Sequence, residues 1–117
     1  MILLKNRTIF EKIVRLMILK LKIQIAYPTI LLFFALLLSY LLLYYLFDTR
    51  IVNESLTVIT GAFLAYSMFT VVHEASHGNI SRGNSKFIIF EKCIGWISAS
   101  FLFFPFSAFK IIHLKHH

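Results

Sequence analysis

Ile23 to Phe47 is a run of 25 residues without a charged side chain, and it constrains the fold more than any other feature of the chain. At about 1.5 Å of rise per helical residue it reaches across the roughly 30 Å of a bilayer's hydrocarbon core with some tilt. In lipid the backbone N–H and C=O groups must be satisfied within the segment, so a spanning helix is the form expected. Pro28 stands near its start, where a missing N–H does little harm, and Tyr27 and the Tyr44 and Tyr45 pair suit the two interfaces. Composition agrees: 59% of the 117 residues are apolar, Phe alone occurs 13 times, and mean hydropathy is +0.81. A soluble domain averages about 45–50% apolar, and a globule of this size has too little interior to hide the excess.

Asp48 to Glu54 is a polar connection of seven residues, so the next helix should return antiparallel beside the first. Ser55 to Val72 adds 18 uncharged residues, close to the minimum for a second span. Gly61, Ala62 and Ala65 are small enough to let the two helices approach closely. Gly78 to Lys86 (GNISRGNSK) reads as a polar loop. Cys93 to Phe109 is again uncharged for 17 residues, interrupted by Gly95 and Pro105. A single crossing there would set His73 and His77 roughly 30 Å from His113, His116 and His117, on the other face of the bilayer. The expected course is instead a segment that dips in and returns, or lies along the interface. The fold class is thus an all-α membrane protein, with two transmembrane helices in a hairpin followed by an interfacial or re-entrant apolar helical segment.

The net charge is +7, yet the basic residues do not build a nucleic-acid surface. Six of the twelve lie in the first 22 positions, most others follow His77, and Arg50 is the only one in the hairpin loop. Cytoplasmic loops carry such an excess, so the N-terminus and both histidine clusters are expected on the cytoplasmic side, with no nucleic-acid partner. Lys5, Lys12, Arg15 and Lys22 recur at spacings of seven, three and seven, one stripe on a helix. Residues 1–22 therefore read as a basic interfacial segment ahead of a membrane domain over 23–117. That segment either lies on anionic headgroups or serves as a charged flank that orients the first span. A cleaved secretory signal is not expected, because the apolar run exceeds the roughly 7–15 residues of such a signal and no A-x-A-like site follows. Cys93 is the single cysteine, so no internal disulfide can form.

All five histidines fall in two clusters, His73-Glu-Ala-Ser-His77 and His113-Leu-Lys-His116-His117, each at the end of an apolar segment. Spacing of i, i+4 sets two rings one turn apart on one helical face, and His113, His116 and His117 share an arc of roughly 100°. Ionisable side chains beside lipid are costly and mark function, and imidazole is the commonest transition-metal ligand. Two chemistries fit. In the first, His73-Glu74-x-x-His77 is a zinc motif, with Glu74 as general base of a membrane-embedded metalloprotease. It needs a remote third ligand and leaves HLKHH without a role. In the second, all five rings help hold two metals that activate dioxygen, which accounts for more of the sequence. A small non-enzymatic membrane protein is the remaining class. Trp96 and the Phe101 to Phe106 cluster read as interfacial anchors and core packing, and Lys110 and Lys115 as headgroup contacts.

HEASHGN, 35 residues between His77 and His113, and then PFSAFKIIHLKHH together resemble the membrane fatty acid desaturase superfamily, which includes acyl-lipid desaturases and carotenoid hydroxylases. Its members share an HxxxH box, an HxxHH box and a later HxxHH box. His73 and His77 match the first, and His113, His116 and His117 the second. Pro105, Phe106, Phe109 and Lys110 resemble the approach to the second box, and Gly95 a glycine of the spacer. The resemblance implies a non-haem centre of two iron ions and electrons from a ferredoxin or a b-type cytochrome. It also implies a membrane lipid as the substrate to be desaturated or hydroxylated. Glu74 then becomes a candidate for orienting a ligand imidazole, a place where the family more often has Asp. No third box follows His117, so the domain is expected to be incomplete at its C-terminus, with an incomplete ligand set and no activity alone.

Overall fold

Five helices succeed one another: α1 over Ile2–Gln24, α2 over Tyr27–Asp48, α3 over Glu54–Ser76, α4 over Ile88–Ser100 and α5 over Phe106–Lys115. A 3-10 turn at Ser85–Phe87 leads into α4, and no strand occurs among the described residues. The computed structural model describes the backbone throughout and every side chain except those of residues 21–24. Lys22, the last member of the expected basic stripe, therefore lies outside the described side chains.

The first span begins four residues later than its uncharged run. The helix breaks at Ile25 and Ala26, and Pro28 takes the second position of α2. A continuous helix through Pro28 would lose the bond its N–H cannot donate, and the ring would crowd the turn before it. The break frees the Ala26 N–H, which donates to the Ile80 carbonyl at 3.0 Å and ties the start of α2 to the loop after α3. With 22 and 23 residues, α2 and α3 rise about 33 and 34 Å, and both are apolar enough to cross a membrane. Their hairpin turns through Arg50, which has φ of 61°. Asn53 then caps α3 by accepting from the Leu56 N–H at 2.8 Å. Of the three small residues on α3, Gly61 faces α2: the Tyr40 hydroxyl donates to its carbonyl at 3.2 Å, and Leu43 lies beside it. Ala62 is exposed.

The second span does not stop at Val72; α3 runs on through Ser76 and His77 caps it. Gly78 supplies the stop. With φ of 74° it lets its own N–H reach the Ala75 carbonyl and the Asn79 N–H reach the Glu74 carbonyl, a pairing that closes the last turn. Beyond the loop, α4 buries Glu91, Ile94, Gly95, Ser98 and Ala99, and α3 buries Met68, Val71, Val72 and Ala75. Both sets follow the spacing of a single helical face, and the apolar members form one cluster with Phe33, Leu36, Ile80 and Phe106.

At 13 residues α4 is about 20 Å long, too short to cross a bilayer. Phe101 ends it by stacking on Tyr40, ring centroids 4.5 Å apart, well inside the length of α2. The chain then reverses through Phe103, which has φ of 57° and is 96% exposed, and α5 runs back to the end of α3. The segment after the spans goes in and returns; a single crossing is not formed. Gly95 makes the return possible, because the Phe106 ring lies flat where its side chain would be and any Cβ there would overlap it.

Candidate metal centre

α3 and α5 deliver the histidines to one place. His73 and His77 lie one turn apart, with ring centroids separated by 4.7 Å. From α5, His113 comes to 4.7 Å from His73 and 4.8 Å from His77, and His117 to 5.0 Å from His77. One nitrogen from each of these four rings falls within 4.8 Å of the others. The shortest approach is Nε2 of His77 to Nε2 of His113, 2.9 Å, so one of these two nitrogens carries the shared proton. His113 and His117 are four residues apart and face the same way. His116 caps α5, is exposed and stands outside the gathered four.

A transition metal takes imidazole nitrogens at about 2.0–2.1 Å, which puts neighbouring donors roughly 3–3.5 Å apart. Four imidazole rings converging within 4.8 Å are a donor set that fits such an ion.

The surroundings hold these rings in place. Phe109 stacks on His113 at 5.1 Å with only 12° between the planes, and it packs edge-on against Phe69 and beside Phe104. The pKa of His113 lies below its ordinary value, first through desolvation and then through His73, His117, His77 and His116. The ring is thereby kept in the neutral form that can ligate. Glu74 has one carboxylate oxygen 3.5 Å from Nδ1 of His73, while the other accepts from the Asn79 side chain at 2.9 Å.

Glu91 escaped the sequence reading. It is 3% exposed, accepts from the Ser81 N–H at 2.8 Å, and lies under Gly78, so it pins the loop after His77 onto α4. A carboxylate set among IIFEKCIGW was the available signal, since a charge in an apolar stretch asks for a partner. Phe106 is core, Trp96 meets it edge-on from a half-exposed position, and Lys115 is exposed near the histidines.

No curated protein and no solved structure matches the chain significantly. The family model for fatty acid desaturases does match, over residues 49–117. That stretch begins in the hairpin loop and takes in α3, the returning α4 and α5 pair, and all five histidines. On a match covering more than half of its residues, the chain belongs to the fatty acid desaturase family, membrane oxidoreductases that act on lipids.

Proposed function

We propose that the protein carries part of the iron centre of a membrane desaturase that introduces a double bond into, or hydroxylates, a lipid acyl chain. His73, His77, His113 and His117 hold non-haem iron, with His116 beside them as a further donor, on the cytoplasmic side of the membrane. The observation that carries this reading is the convergence of four imidazoles from two helices at the end of a membrane hairpin. Two iron ions draw on more donors than these rings offer.

Bound iron supplies the oxidant that an unactivated C–H bond needs and that no side chain provides. In the overall balance of desaturation, dioxygen takes two electrons from the acyl chain and two from an electron donor such as a ferredoxin or b-type cytochrome, and leaves as two waters. The chain's own residues do the positioning. The four rings set the centre, Glu74 orients His73 through Nδ1, and Phe69, Phe104 and Phe109 wall one flank of His113 against water. The substrate reaches the centre from within the bilayer.

A zinc protease built on His73-Glu74-x-x-His77 fits less well. The Glu74 carboxylate is already engaged by Asn79 and faces His73, and the rings of α5 would have no task. The test is to load the chain, in lipid, with iron under anaerobic conditions, then admit dioxygen and a reductant and follow acyl products by mass spectrometry. Iron bound through both clusters and lost in His77→Ala and in His113→Ala supports the proposal, as does any oxidised lipid that depends on both. Zinc held by His73 and His77 alone, with peptide-bond cleavage, would overturn it.

A further inference from the structure

α1 packs little of its surface on the rest of the molecule. Every described side chain from Ile2 to Lys20 is exposed except the half-buried Val14. At 100° per residue Lys5, Lys12 and Arg15 share an arc of about 80°, and Ile9, Phe10, Ile13 and Met17 an arc of about 100° on another flank. Those four apolar residues are between 48% and 67% exposed. Lys20 falls on the apolar flank near the end of the helix, where a long stem carries its charge back to a polar layer. Arg7 is paired with Glu11 at 3.7 Å, the one acidic residue of the helix.

We infer that α1 is a recognition element for anionic lipid, lying in the interface with Ile9, Phe10, Ile13 and Met17 in the acyl boundary and Lys5, Lys12 and Arg15 on the headgroups. Two observations select this occupant. One is composition: an apolar flank and a basic flank on one helix are both satisfied only at a charged bilayer surface. An acidic protein would leave the apolar flank wet, and a second copy would bring like charges together. The other is continuity, since two residues separate α1 from the membrane-spanning α2, and the Ala26 N–H bond to Ile80 holds that junction beside the histidine end of α3. The interface is therefore within reach of α1 wherever α2 crosses. Such a helix holds anionic lipid next to the site from which acyl chains enter.

The experiment uses the full chain carrying Cys93→Ser and Ile13→Cys, labelled at the new thiol with an environment-sensitive fluorophore. It is reconstituted in vesicles of phosphatidylcholine alone or mixed with phosphatidylglycerol. The label should be in an apolar setting and quenched by shallow brominated lipid only in the mixed vesicles. Salt at 1 M, where the screening length is about 3 Å, should release it. Each of Lys5→Gln, Lys12→Gln and Arg15→Gln should lower the ratio of docked to free helix about fivefold, and the three together on the order of a hundredfold. Lys5→Arg with Lys12→Arg should leave the ratio unchanged. The inference is overturned by a label that stays water-exposed in mixed vesicles, or by one equally buried in both lipids and indifferent to salt. Burial that tracks the protein-to-lipid ratio would point to a second copy and overturn it too.

Discussion

Phe109 and Glu74 touch the clustered imidazoles, and the role proposed for each makes a separable claim. The near-parallel stack of Phe109 on His113 fixes the plane of a ring whose other contacts are with the imidazoles around it. Phe109→Ala should lower iron affinity about 10–100-fold, the range for losing a group that orients a ligand. Phe109→Tyr should restore most of it in competition with a chelator. Glu74→Gln separates an orienting carboxylate from a catalytic base: the account expects a loss of metal affinity in that same range of about 10–100-fold, whereas a protease base would leave affinity intact and abolish turnover. Acidity gives a third check. The lowered pKa of His113 means that the folded state favours the neutral ring, so its contribution is present above the ordinary value of 6.5 and is lost as pH falls through the folded value. Iron affinity should thus fall on acidification; a pH series of chelator competition reads this. The gathering of His73, His77, His113 and His117 was legible from spacing, whereas His116, expected with them, stands apart. The support of Glu74 by Asn79 was not legible, because it depends on the turn that Gly78 forms, and no spacing rule encodes that turn.

Helix ends and turns decide whether the two clusters meet. Gly95 is the seat of Phe106, and Gly95→Ala overpacks that contact, at a cost of about 1–3 kcal/mol. The damage should appear as lowered thermal stability together with weaker metal binding, since α5 carries both His113 and His117. Phe106→Ala in the same chain should relieve part of it, a coupling that a double-mutant cycle measures. At Gly78 a Cβ would meet only ordinary contacts, so the effect of Gly78→Ala comes from its φ of 74° and should be about 1–2 kcal/mol. The spans could be read from the sequence because lipid demands long apolar helices. Their starts could not be read to the residue: Ile23 and Gln24 are as uncharged as the helix they precede, and only the steric effect of Pro28 moves the boundary to Tyr27. The return of α4 and α5 was read indirectly, from the requirement that the histidines meet. Glu91, which braces the loop between α3 and α4, was passed over because a lone carboxylate does not declare its partner.

As a whole the molecule is a membrane hairpin with a shorter helical hairpin packed against it, and the histidines sit where the two return together. Eleven of the twelve basic residues lie outside the α2–α3 loop, where Arg50 stands alone. The proposal that the histidine end faces the cytoplasm rests on that distribution of positive charge. In a Cys93→Ser background, Ser85→Cys should be labelled by an impermeant reagent only from the cytoplasmic side and Ile51→Cys only from the opposite side; the reverse pattern would overturn the orientation while leaving the centre intact. The most direct test of the centre is iron-edge X-ray absorption on the full chain in lipid, compared among the unsubstituted protein, His73→Ala and His113→Ala. Imidazole nitrogens are expected at about 2.0–2.1 Å, with the imidazole signal diminished by either substitution, one on α3 and one on α5. An iron environment that changes with His73→Ala but is indifferent to His113→Ala would contradict that expectation.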